Sequence, residues 1–314
     1  MGKSTKKQRG RPRNATSIIA FSTFLVFCAM ATAMVVSGFF KPVHPVSEPV
    51  YAGPPDEPAN EPSGAAPIVE PPDNSEDSAA DDTKSRGKLV FVIDDVGHNT
   101  WQLEPFLALP FPITLAVLPG LPYTAKTAEM VKSAGKELIL HQPMEAIDAL
   151  DPGPGAIRTD MDDNSIRKVI RENFGQVPGA VGMNNHMGSK ASSDVRVMST
   201  VLDEVGSSGM YFLDSLTIAD SVVQSVAALM RQSTWERTVF LDNTPDRVSM
   251  LRYIAEGAKV AEKRGYAIMI GHVWSSELAQ TLADLYPQLV DQGFSLSTIS
   301  RIMMDKDDDD GIGY

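Results

Sequence analysis

Eight short runs rich in Val, Ile, Leu and Phe recur along this chain, at 89–93, 113–118, 137–140, 180–183, 210–213, 238–241, 266–270 and 294–299. Between most of them lie longer segments with apolar residues at helical spacing. Examples are Ile166, Val169, Ile170 and Phe174, and Val248, Leu251, Ile254, Ala255, Ala258 and Ala261. Buried strands alternating with covering helices imply a parallel sheet, because each helical crossover returns the chain to the same end. The expected fold is α/β, a closed or nearly closed (β/α) barrel of seven or eight units, with an open doubly wound sheet as the alternative.

This pattern is confined to residues 87–304 of the 314, the length of one α/β domain. Ahead of it, residues 1–17 hold Lys3, Lys6, Lys7, Arg9, Arg11 and Arg13, and an uncharged apolar stretch follows, assigned to 18–40 as a spanning segment. About 20 apolar residues cross a bilayer core, and the basic flank stays in the cytoplasm. The expectation is a single-pass anchor in the inner (cytoplasmic) membrane with the body periplasmic or otherwise extracytoplasmic; a cleaved signal peptide is the competing reading. Residues 41–86 carry ten of the 22 prolines among acidic and small residues, and are expected to be a disordered tether. Residues 305–314 are expected to be a solvated acidic tail.

Composition narrows the function. A net charge of −12 argues against nucleic acid as a partner. The single cysteine, Cys28, excludes a disulfide framework and any multi-cysteine zinc site. No GxGxxG, P-loop lysine motif or GxSxG elbow occurs, which removes the usual support for nucleotide or serine-hydrolase chemistry.

The conspicuous polar residues sit where apolar runs end: Asp94 and Asp95, His141, Asn184, Asn185 and His186, Asp214, Asp242 and Asn243, and His272. In parallel α/β folds those strand ends converge on one face, which carries the active site. Singly, each Asp reads equally well as a turn former or helix cap and each His as a hydrogen-bonded core residue. Together they permit metal-assisted hydrolysis, in which Asp and neutral His hold a divalent ion and a second carboxylate takes a proton from water. Adjacent Asp94 and Asp95 suit those two different roles. His141 and Glu145 form HxxxE around Pro143, which makes helical presentation of the pair doubtful. Trp274, two residues beyond His272, could stack on a sugar ring, and the DPGPGAI loop at 151–157 either lines a groove or simply connects elements.

The strings FVIDDVGHN, LPFPITLAVLP, LILHQPMEA, DPGPGAI, GAVGMNNHMGSKASSD, GMYFLDSLT, FLDN and AIMIGH, in this order, resemble the divergent polysaccharide deacetylase family. The resemblance covers essentially all of residues 88–300 and none of the anchor or tether. It implies an irregular (β/α)7–8 barrel of the polysaccharide deacetylase type, with Asp94 as catalytic base and His272 as the acid that protonates the leaving group. It further implies Asp95 and His141 as metal ligands, with His186 standing in for the second His of the usual HxxxH, here replaced by Glu145. Zinc is the expected ion. Glu145, Asn185, Asp214, Asp242 and Trp274 are expected around the substrate. The sequence departs from the family pattern in lacking a clear equivalent of the Arg motif that orients the catalytic Asp.

The function expected is a metal-dependent hydrolase, acting on a carbon–nitrogen amide bond, that removes acetyl groups from an N-acetylated envelope polysaccharide. The alternatives are an inactive glycan-binding or regulatory cell-envelope protein, and a hydrolase of a different ester or amide.

Overall fold

The computed structural model describes residues 85–309. The expected cytoplasmic tail, the anchor at 18–40 and nearly all of the 41–86 linker lie outside the described residues. Among those described, no helix is long and apolar enough to cross a membrane.

The strands among the described residues are β1 Gly87–Val96, β2 Thr114–Val117, β3 Glu137–Met144, β4 Gly182–Met187, β5 Tyr211–Asp214, β6 Trp235–Glu236, β7 Val239–Phe240, β8 Tyr266–His272 and β9 Phe294–Ser297. The helices are α1 Glu104–Leu107, α2 Thr124–Ser133, α3 Asp163–Gln176, α4 Val195–Ser207, α5 Val223–Met230, α6 Arg247–Arg264, α7 Ser276–Asp291 and α8 Ile299–Asp309. The strands join in the order β6-β5-β4-β3-β2-β1-β8-β7, and every pairing is parallel. One edge of β1 is shared: β9 pairs with Gly87–Val90, and β2 takes over from Val92.

The two ends of this order, β6 and β7, are separated only by Arg237 and Thr238, so the sheet must curl until its ends approach. Side chain and loop, not a ladder, hold this seam. Arg237 donates from its backbone to Asp214, and from its guanidinium to the carbonyls of Ser215 and Leu216 at 2.7 and 2.9 Å, while the Thr238 amide donates to Ile268. The result is a curled parallel half-barrel rather than a fully laddered barrel. The two-residue β6 was not expected, and the run at 238–241 contributes only Val239–Phe240. The run at 180–183 lies further along, at Gly182–Met187. The acidic C-terminal run is helical as far as Asp309, where a tail without structure was expected.

Strand parity sorts the core into two layers. Leu89, Phe91 and Ile93 of β1 face outward into the main cluster, against helix residues such as Ile254, Leu278 and Leu282. Val90 and Val92 face the barrel interior with Ala116, Ile139, Tyr211, Leu213, Ile268 and Ile270. Ile299 and Ile302 of α8 complete this inner cluster and close its floor. Gly182 is required there, because a Cβ would come within 2.6 Å of the Tyr211 ring. The helices carry the expected entry signals: Asp162, Asp194 and Asp246 accept from Ser165, Val197 and Ser249 amides, capping α3, α4 and α6 at about 1 kcal/mol each.

Candidate metal centre

The interior positions turn polar at the C-terminal ends of the strands. On β1 the inward series Val90, Val92 reaches Asp94; on β3 Ile139 is followed by His141; on β4 Gly182 gives way to Asn184 and His186; on β8 Ile268 and Ile270 lead to His272. Register brings them side by side, with Asp94 opposite His272 and His141 opposite Asn184.

Asp95 would point outward on a regular strand. Instead the β1–β2 register slips between Ile93 and Val96, and Asp95 has φ 65°, a left-handed conformation that Asp tolerates better than most residues. This bulge turns a second consecutive carboxylate inward. Met187 and Leu216, after His186 and Asp214, also have positive φ, so three of the five such non-glycine residues among those described lie on this rim.

Three side chains expected on a metal meet here. Asp95 Oδ1 lies 3.3 Å from His141 Nε2 and 3.0 Å from His186 Nδ1, and the two nitrogens are 3.1 Å apart. An ion 2.0–2.1 Å from each of its ligands separates them by about 3.3–3.4 Å if tetrahedral and about 2.9 Å if octahedral, so the observed spacings span what a divalent cation requires. Asp95 Oδ1 is buried without a hydrogen bond of good geometry. His141 gives its Nδ1 proton to Asn184 Oδ1 at 2.7 Å, which leaves the Nε2 lone pair facing the same point. Acceptors converging on one spot repel each other until a cation joins them. The donor set therefore fits a metal.

The electrostatics agree. Burial opposes the charge on Asp95, but the two imidazoles outweigh it and hold the carboxyl well below the usual range. Burial also opposes a charged His141, yet Asp94 and Asp95 pull its pKa upward, as expected where negative potential is focused. For Asp94 burial dominates and raises the pKa against the pull of His141, His272 and Asn184, which makes the carboxylate a better proton acceptor than an exposed one.

His272 stands on the other side of Asp94. Its Nδ1–H donates to Asp242 Oδ1 at 2.9 Å and its backbone amide to Oδ2 at 2.8 Å, so Asp242 fixes ring and main chain together. Burial would lower the His272 pKa, but Asp242, with the charges of Asp94 and Asp95, lifts it to about 9. The imidazole lies stacked between Phe240 and Trp274, at 5.8 and 5.0 Å between centroids. Arg237 packs over the far face of Phe240 at 3.8 Å. Trp274 is half-exposed and donates to Asp95 Oδ2 at 3.2 Å.

A model of divergent polysaccharide deacetylases matches residues 91–303. The chain belongs to that family. An uncharacterized protein of Haemophilus influenzae is 31% identical over 201 residues, covering 64% of this chain and 72% of that protein. The uncharacterized protein YibQ of Escherichia coli is 33% identical over 186 residues, covering 59% of this chain and 58% of its own length. A crystal structure of an uncharacterized protein from Agrobacterium tumefaciens shares the fold, with a TM-score of 0.64 at 18% identity over 69% of this chain and 89% of that one.

Other residues expected around the substrate are engaged elsewhere. β3 is extended through Met144, so the HxxxE spacing sets Glu145 about 13 Å from His141 along the strand direction. The Glu145 carboxylate accepts from the Thr159 amide and hydroxyl at 2.6 and 2.7 Å and pairs with Lys190 at 2.7 Å, tying two rim loops. Asn185 has the opposite parity to its neighbours and links Met187 to the Ser215 amide. Asp214 is buried, accepting from Leu216 and Ser221. Asn184, Ser215, Arg237 and Phe240 carry parts of the site without having been singled out as site residues. For Asn184 the sequence signal was its position, two residues before His186 and so on the same strand face. Nothing local marks the other three.

Proposed function

We propose that the protein is a metal-dependent deacetylase that cleaves the amide bond of N-acetyl groups on an envelope polysaccharide, with zinc as the bound ion. The convergence of Asp95, His141 and His186 beside Asp94, with His272 on the other side of that carboxylate, carries this reading. A divalent cation held there supplies a Lewis acid that polarises the acetyl carbonyl and acidifies water. Asp94, buried and next to His141, takes the proton from the attacking water. His272, kept protonated by Asp242, gives a proton to the departing amine, so the products are acetate and a free amino sugar. Trp274 offers the exposed aromatic face on which a sugar ring can rest.

The apolar stretch at 18–40 supports placing this domain outside the cytoplasm on a single inner-membrane anchor, within reach of envelope glycans. Protease added to intact spheroplasts is expected to digest the domain; full protection contradicts this topology. For the activity, the full chain is incubated with a panel of N-acetylated oligosaccharides, before and after chelation, and acetate is measured. Chelator-sensitive release supports the reading. Saccharide binding with no release from any member points instead to a glycan-binding, regulatory role.

A further inference from the structure

We infer that Asn184 is the positioning residue that sets both the tautomer of His141 and the orientation of Asp94, an assignment that rests on the roles proposed for those two side chains. Asn184 is fully buried, opposite His141 in the β3–β4 register. Its Oδ1 accepts from His141 Nδ1 at 2.7 Å, and its Nδ2 donates to Asp94 Oδ1 at 2.8 Å and to Ser215 Oγ at 3.3 Å. A primary amide offers a carbonyl at one end and two N–H donors at the other, and these three partners occupy both ends.

The polarity of the amide dictates what each neighbour does. At the carbonyl end only an N–H can sit, so His141 keeps its proton on Nδ1 and presents a bare Nε2 to Asp95 and His186. At the amino end only an acceptor can sit, so Asp94 Oδ1 is anchored. Asp94 Oδ2 is left 3.8 Å from His141 Nε2, beside the centre, as the oxygen available to a proton. One planar group thus links a metal ligand to the proposed base. Asn185, one residue on, makes no contact of this kind; its amide joins the backbones of β4 and the loop after β5.

Two substitutions in the full chain separate these effects. Asn184→Asp keeps an acceptor for His141 but sets a carboxylate against Asp94. Asn184→Ala removes both partners. Zinc affinity is read by competition with a chromogenic chelator, and the His141 Nδ1 proton by NMR of zinc-loaded, 15N-histidine-labelled protein. The expected results are a 10- to 100-fold loss of zinc affinity and faster exchange of that proton in Asn184→Ala. Asn184→Asp should hold zinc within about threefold of the parent while acetate release falls by at least about 10². Equal losses of affinity in both variants, tracking a common fall in Tm, overturn the inference, as does an Asn184→Asp protein with the parent rate. If the parent chain itself releases no acetate, the deacetylase reading fails separately. The Asp94 half is then decided by the crystal structure of zinc-loaded Asn184→Asp: a carboxylate turned out of its present plane supports the inference, and an unmoved one contradicts it.

Discussion

The lower and upper halves of the barrel interior are built from the same strands and the same strand faces, yet they do opposite things. Below, Val90, Val92, Ile139, Leu213, Ile268 and Ile270 pack together over the floor made by Ile299 and Ile302. One inward position further along, the same faces present Asp94, His141, Asn184 and His272. The lower half gains from excluding water, and the buried Tyr211 hydroxyl in it is satisfied by donating to Glu137 at 2.8 Å. In the upper half the buried polar groups, Asp94, His141 and Asn184 among them, must find specific partners, and Asp95 Oδ1 has none of good geometry. Stability thus resides below and chemistry above, with rigid strands carrying one into the other.

This division is tested first by the largest effect it forecasts. Asp94→Asn should cost about 10² to 10⁴ in acetate release while Tm and zinc content stay near those of the parent. Loss of the fold would show that the upper half is structural after all. Next comes the mirror experiment in the lower half. Ile139→Ala should destabilise the domain by about 2–5 kcal/mol in denaturant titrations, yet the folded fraction should bind zinc as before.

Asp242→Asn acts through His272 and sharpens the picture of the upper half. His272 must be protonated to act as an acid, so activity falls as pH rises through its pKa. Without Asp242 that pKa drops from about 9, with Asp94 and Asp95 still supporting part of the shift, so the basic limb of the rate profile moves to lower pH and the rate near pH 8 falls by at most about 30-fold, the figure for a full return to 6.5. A profile that keeps its basic limb would detach Asp242 from this role. The smallest effect is expected at the rim. Burial works against the Glu145 charge, but Lys190 and Thr159 together outweigh it and hold its pKa at about 2 against 4.5, so its contribution is present above 4.5 and lost as pH falls through 2. Only partly buried and paired with an exposed lysine, it is worth under about 1 kcal/mol. Glu145→Gln should lower Tm slightly at neutral pH and leave zinc affinity unchanged; a loss of zinc would place Glu145 in the centre.

How much of this was legible in the sequence follows from the same contrast. Apolar runs mark strands because burial demands long apolar stretches, so β1, β2, β3, β5, β8 and β9 were readable within a few residues. β6 was not, since Trp235–Glu236 is too short to show a period, and the seam at Arg237 is held by a side chain reaching carbonyls some 20 positions away. Among polar residues, position at a strand end identified Asp94, Asp95, His141, His186 and His272. Strand-end position alone did not separate Asn184 from Asn185, for which parity with His186 is the signal, and it did not reveal that Glu145 is held by Thr159 and Lys190. The inward turn of Asp95 depends on a bulge that no local residue announces.

The central claim is that Asp95, His141 and His186 together hold one divalent cation. Isothermal titration of the full, metal-stripped chain with zinc tests it most directly, with the His186→Ala variant alongside. One equivalent bound by the parent, and affinity weakened at least 100-fold in the variant with its Tm unaltered in the metal-free state, is the predicted result. Equal, stoichiometric binding by both proteins, or none by the parent, would contradict it.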